Sequence, residues 1–120
     1  MKKLIRSKNR LLIGAGFLFA ILSLSNSCTK STMATSKPGA NEVWIQNMAF
    51  DPSTITVPAG TTITWTNKDA VAHTVTSSTG IFGSGSINTN GTYIHVFSTA
   101  GSFPYICTIH PTMTATVIVN

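Results

Sequence analysis

Charge is scarce in this chain. Only 9% of its 120 residues are charged, and the acidic ones are Glu42, Asp51 and Asp69 alone. The formal net charge of +5 comes from the first ten residues, which hold Lys2, Lys3, Arg6, Lys8 and Arg10. Beyond residue 27 the lysines Lys30, Lys37 and Lys68 balance the three acids. A neutral body excludes a basic surface for nucleic acid and a one-sided field that would steer a strongly charged partner. Cysteine is nearly absent too, with only Cys28 and Cys107. Cys28 falls outside the expected domain, on a tether, so the two are read as unpaired. No apolar run reaches the roughly 20 residues that a membrane-spanning helix needs. Outside the N-terminal run no segment has a helical period, and there is no internal repeat.

The chain does carry an export signal. Five basic residues precede an apolar run over 11–24, and small polar residues lead from there to Cys28. That order predicts a secretory signal peptide over 1–27. A cysteine directly after such a run resembles the acceptor of a bacterial lipoprotein, so Cys28 is the expected lipidation site. Ser25 stands where leucine is preferred, with Leu24 one residue further back, and Ser27 is suitably small. The rival reading is ordinary cleavage after Ser27. A lone unlipidated thiol in an oxidising compartment is a liability, which favours the lipid. Residues 28–41 are rich in Ser, Thr, Lys, Pro, Gly and Ala without periodicity, as in a flexible tether. The expected localisation is the periplasm, at a membrane through the lipid.

Residues 42–120 form one small domain that reads as strands. The stretch 43–50 is an apolar run that ends at Asp51-Pro52. Alternating strands are expected at 54–57 and 61–66, with Ile63 and Trp65 on one face, and another strand at 92–97. Shorter β-branched or apolar runs lie at 71–76, 103–107 and 114–119. Gly and Pro punctuate them at Pro58-Ala59-Gly60 and Ala100-Gly101. Short strands at this spacing indicate an all-β sandwich or barrel. Trp44 and Trp65 read as core or sheet-face aromatics, and Asp51 and Asp69 as turn residues.

The chemistry concentrates in Tyr105-Ile106-Cys107-Thr108-Ile109-His110-Pro111-Thr112-Met113. Cys107, His110 and Met113 are spaced three residues apart. His73 supplies a second imidazole upstream. Two His, one Cys and a weak axial Met form the ligand set of a blue-copper electron-transfer site. If these side chains meet, the chain holds one copper ion and passes single electrons. Such a site suits both copper oxidation states, so a rigid sheet need rearrange little. Nothing in the sequence supplies the nucleophile, general base or open coordination position of an enzyme. His95 has no partner motif and reads as structural.

Over residues 43–119 the chain resembles the cupredoxin family, and most of all its plastocyanin- and amicyanin-like members. The resemblance rests on Phe50-Asp51-Pro52, Val57-Pro58-Ala59-Gly60, Trp65-Thr66-Asn67-Lys68-Asp69 before His73, and the Cys107-to-Met113 loop with Pro111 after the histidine. The short spacing from His110 to Met113 is amicyanin-like. The resemblance implies an eight-stranded Greek-key β-sandwich with copper at one end, bound through the ring nitrogen nearer the backbone of His73 and of His110. It implies a strong bond to Cys107 and a long axial one to Met113. It also implies that His110, beside Pro111, is the electron port within an apolar patch. Two residues depart from the family pattern. Thr74 stands where many members have asparagine after the first histidine, and its hydroxyl is expected to reach the Thr108 region instead. Ala115 stands where glycine is common.

The leading expectation is a monomeric one-electron carrier between redox protein partners that the sequence does not name. The alternative is a copper carrier or storage module without a fixed redox partner. A structural domain without copper is disfavoured by the four intact ligand positions. Copper oxidases and nitrite reductases need further ligand clusters, and a two-copper entry site needs two cysteines in the loop.

Overall fold

The computed structural model describes residues 36–120. The expected signal peptide, Cys28 and the tether up to residue 35 lie outside the described residues. The rest of the tether, 36–41, is turned back at its end: Glu42 N–H donates to the Gly39 carbonyl at 3.2 Å, and Gly39 N–H donates to the Glu42 carboxylate at 3.1 Å.

Eight strands follow: β1 (Glu42–Gln46), β2 (Ala49–Asp51), β3 (Thr54–Val57), β4 (Thr61–Asn67), β5 (Thr76–Ser77), β6 (Thr92–Phe97), β7 (Gly101–Ile106) and β8 (Thr114–Val119). They form two four-stranded sheets, ordered β2-β1-β4-β6 and β3-β8-β7-β5. Each sheet contains one parallel pair, β1 with β4 and β3 with β8. This is the all-β sandwich expected of a cupredoxin. Period-two alternation decides which side chains face inward. Val43, Ile45, Ile63 and Trp65 of one sheet are buried, as are Val57, Tyr105, Val117 and Val119 of the other. The threonines between them stay on the half-exposed pleat, where a β-branched hydroxyl side chain fits.

Three of the expected strands differ from what formed. The run 43–50 is a hairpin, not one strand. Gln46 pairs with Ala49, and Asn47 and Met48 between them adopt left-handed conformations with φ of 55° and 60°. That is the geometry of a tight primed turn. A methionine there costs on the order of 1 kcal/mol or more, which is why the sequence does not advertise the turn. The run 71–76 is mostly irregular: His73 makes an isolated bridge with Ile87, and only Thr76–Ser77 joins a sheet. The strand expected over 103–107 starts earlier, at Gly101, and stops at Ile106, so Cys107 lies just past its end.

An aromatic cluster fills the space between the sheets. Trp65 packs edge-on against Tyr105 at a centroid distance of 5.6 Å, and Phe82 packs against Phe97 at 5.3 Å. Trp65 Nε1–H donates to the Tyr105 hydroxyl at 3.1 Å, a buried bond across the sandwich. His95 belongs to this cluster, 4.9 Å from Phe82 and 4.8 Å from Phe97, and takes no part in the site below. Trp44 is half-buried on the outer sheet face, with the Lys68 ammonium 4.6 Å from its ring centre.

Burial pushes the Tyr105 phenol far above its ordinary value of 10, and the hydrogen bond from Trp65 only partly opposes this. A folded-state value above the unfolded one means stability that is present below pH 10 and is lost as pH rises beyond it. Tyr105→Phe leaves Trp65 Nε1–H unpaired and is expected to cost about 1–3 kcal/mol near neutrality, measured as a lower urea midpoint of the copper-free protein. The same variant should lose less stability than the wild type when the pH is raised past 10.

Candidate metal centre

The site is assembled where β4 and β7 leave the sandwich. β4 ends at Asn67, which is fully buried. Its amide donates to the carbonyls of Val71 and Ile87 at 2.8 and 2.9 Å, and its carbonyl oxygen accepts from Asp69 N–H at 2.9 Å. One amide side chain thus shapes the loop that delivers His73. His73 is itself fully buried and exchanges backbone hydrogen bonds with Ile87 at 3.1 and 2.8 Å. From the other sheet, Cys107 follows β7 directly. Its loop is closed by Cys107 N–H to the Met113 carbonyl at 3.1 Å and by Met113 N–H to the His110 carbonyl at 2.9 Å.

These segments bring three donor atoms together. Cys107 Sγ lies 3.7 Å from His73 Nδ1 and 3.8 Å from His110 Nδ1, and the two nitrogens are 3.2 Å apart. Such separations are too short for two protonated nitrogens to face each other comfortably, and they suit a shared cation. The point equidistant from the three atoms lies about 2.1 Å from each, within the roughly 2.0–2.3 Å typical of metal bonds to imidazole and thiolate. The donor set is two imidazoles and a thiol, which suits copper. Among the described residues these three form one close group of possible ligands. His73 and Cys107 are buried, and His110 is half-buried. Met113 is also buried, held by the two backbone bonds above.

Cys107 and His73 each have a support. Thr74 N–H donates to Cys107 Sγ at 3.3 Å. Thr74 Oγ1 lies 2.9 Å from Thr108 Oγ1 and accepts Thr108 N–H at 2.8 Å, so these two residues do tie the ligand segments together. Ala115 is buried within β8, opposite Tyr105.

The support that sequence reasoning missed is Asp69, which was expected only to serve a turn. Its Oδ2 lies 2.9 Å from His73 Nε2, and its carboxylate also accepts Asn47 N–H at 2.7 Å and Met48 N–H at 3.0 Å. It therefore holds the far side of the imidazole and the strained hairpin tip at once. Partial burial works to raise its pKa. The bonds from Met48, Asn47 and His73 outweigh that and hold the carboxyl below its ordinary value. The signal available in sequence was the spacing of four between Asp69 and His73, too common on its own to be informative. A carboxylate behind a ligand imidazole fixes its tautomer and ring orientation. Asp69→Ala is expected to weaken copper binding about 10–100-fold and to lower the stability of the copper-free protein, as read by competition with a chelator and by urea unfolding. Unchanged copper affinity would show that His73 needs no such anchor.

Comparison with known proteins agrees with this geometry. The family model described as a cupredoxin-like domain matches residues 14–119. Amicyanin-alpha of Methylorubrum extorquens is 36% identical over 88 residues, covering 68% of this chain and 73% of that protein. Amicyanin of Paracoccus versutus is 32% identical over 114 residues, covering 90% of this chain and 86% of the relative. A solved structure of the Cu(I) form of an amicyanin methionine-to-alanine variant superposes with a TM-score of 0.63 at 28% identity, covering 74% of this chain and 87% of that one. With a His73–Cys107–His110 triangle at the ends of two strands of a two-sheet sandwich, the chain belongs to the cupredoxin family and is amicyanin-like.

Proposed function

We propose that this domain is a blue copper protein that carries one electron at a time between protein partners in the bacterial periplasm. The observation that carries the reading is the pre-formed triangle of His73 Nδ1, His110 Nδ1 and Cys107 Sγ. His73, His110 and Cys107 would hold a single copper ion, and Met113 would supply a further, weaker thioether ligand. Copper bound there supplies a one-electron couple. The protein's part is to keep the ligands in one arrangement that serves both oxidation states, so that little reorganisation accompanies each transfer.

The surface at this end suits docking to a redox partner. His110 is the half-buried ligand, and Pro111 beside it is exposed. Met48, Val71 and Ile109, each about half exposed at 47%, sit on the three segments that converge on the ligands. Apolar side chains around a ligand imidazole allow a partner to approach closely and exclude water, which makes His110 and Pro111 the electron port. The domain is a carrier and not an enzyme in this reading. Export through the signal peptide places it outside the cytoplasm, with Cys28 as the lipid attachment point to a membrane.

Copper loading decides between this reading and a storage module. The expected result is an intense absorption band near roughly 600 nm from thiolate-to-Cu(II) charge transfer, together with a reversible one-electron wave. Cys107→Ser should abolish the band. Met113→Ala should keep a thiolate band but shift the reduction potential. Weak colour and rapid loss of copper to a mild chelator would favour storage instead.

A further inference from the structure

We propose that the Asn90-Gly91 step is a self-modification site, where loss of the Asn90 side-chain amide loosens the loop that carries His73. Of the asparagines in the chain, only Asn90 is followed by glycine. The pair matters chemically because Gly91 has no Cβ to hinder attack by its own nitrogen. That nitrogen can attack the side-chain carbonyl carbon of Asn90. A C–N bond forms, the amide nitrogen leaves as ammonia with the Gly91 proton, and a five-membered imide remains. Water then opens the ring. Opening at the side-chain carbonyl gives aspartate. Opening at the main-chain carbonyl gives isoaspartate, whose main chain is one carbon longer. Water enters, ammonia leaves, and no oxidant or reductant is needed.

The fold exposes the electrophile and restrains the nucleophile. Asn88, Thr89 and Asn90 are exposed. Asn90 adopts a left-handed φ of 65°, which asparagine tolerates. Gly91 N–H donates to the Asn88 carbonyl at 2.8 Å. In the closed turn this bond keeps the proton on the nitrogen that must lose it, so the reaction proceeds from the opened turn. A Cβ at Gly91 would stand 2.9 Å from the Asn88 carbonyl oxygen. The tight turn therefore requires the same glycine that makes Asn90 reactive.

The consequence follows from what the turn is tied to. Asn90 N–H donates to the Asn67 carbonyl at 2.8 Å, and Asn67 N–H donates to the Gly91 carbonyl at 2.9 Å. These two bonds lie on either side of the bond that isoaspartate lengthens, so an extra main-chain carbon there breaks their shared spacing. Asn67 is the residue whose side-chain amide donates to the Val71 and Ile87 carbonyls, and Ile87 exchanges both backbone bonds with His73. Loss of the pair thus reaches the His73 loop directly. Conversely, a metal on His73 holds the loop, and the loop holds the turn shut. Aspartate leaves both backbone bonds in place, so the damage belongs to the isoaspartyl product.

The test incubates the copper-free protein at mildly alkaline pH. Peptide mapping follows the gain of one mass unit, and isoaspartyl methyltransferase labelling identifies the isomer. The gain should fall on the peptide that contains Asn90, carry isoaspartate, and be absent from Asn90→Gly, which keeps the left-handed φ. The isolated isoaspartyl form should exchange its Asn67 amide at least about tenfold faster than wild type, as loss of a hydrogen bond predicts. Asn90→Asp should exchange like wild type. Copper at about a hundredfold over its Kd should slow the modification at least about tenfold. Modification confined to other asparagines, or absent from a folded chain whose urea-unfolded form is modified, overturns the site. An isoaspartyl form with unchanged Asn67 exchange overturns the coupling to the His73 loop. Equal rates with and without bound copper overturn the protection by metal. Only this last arm rests on the copper-carrier reading. A protein that takes up copper without the thiolate band defeats that reading alone, and mapping and exchange still decide the proposal.

Discussion

The centre depends on one apposition: the end of β4 must meet the end of β7 across the sandwich. The hydrogen bond from Trp65 Nε1 to the Tyr105 hydroxyl at 3.1 Å marks that meeting. Trp65 stands two residues before the end of β4, and Tyr105 stands two residues before Cys107. Both rings are almost wholly buried, so their polar atoms have no alternative partner in water. A slip of one strand by a single residue would turn Trp65 or Tyr105 to the outer face. It would also carry His73 or Cys107 out of reach of the other. Register in the core and coincidence of the ligands are therefore one requirement.

From this shared base the two ligand segments are fixed in different ways. The His73 side relies on charge and an amide. Asn67 folds the loop, and Asp69 braces the imidazole while also accepting from the hairpin tip. The left-handed residues Asn47 and Met48 are thereby tied into the site, because the bonds that compensate their strain come from the carboxylate that orients His73. The Cys107 side relies on hydroxyls and backbone groups, with Thr74 at the centre. His73 is thus held through the ring nitrogen that faces away from the triangle, and Cys107 through a hydrogen bond to its sulfur.

Much of this was legible before any coordinates. Alternation in 54–57 and 61–66, and the apolar and β-branched runs 92–97 and 114–119, placed those strands to within a residue, because a half-buried sheet stamps its pattern and composition directly on the sequence. The residues Cys107, His110 and Met113 stood out because soft donors at short fixed spacing are rare for any other reason. Where reading failed, the determinant was tertiary. The hairpin at Asn47 and Met48 carries no turn signature, since a methionine in the left-handed region is held by Asp69, distant in sequence. The β-branched run 71–76 satisfied the composition of a strand, but its hydrogen bonds go to the 83–87 segment and to the site. Asp69 looked like a turn residue and lies in the bend after β4, while Asn67 closes β4 itself. Their further duties appear only once His73 and Ile87 are placed beside them.

The scarcity of charge takes on a meaning in this light. Of the three acids, Asp69 is spent inside the site and Glu42 bonds to the Gly39 backbone and to Thr66. Little ionic character remains near the ligand end, where Met48, Val71 and Ile109 are exposed instead. Long-range attraction, which salt screens over about 8 Å at physiological strength, can then contribute little to the encounter with a partner. Recognition must come from short-range apolar fit around His110, an interaction that forms without strong orientation and releases quickly. For a carrier that must leave each partner after one electron, a weak and indifferent contact serves better than a tight one. Tethering at a membrane would offset the lost steering by keeping the local concentration high.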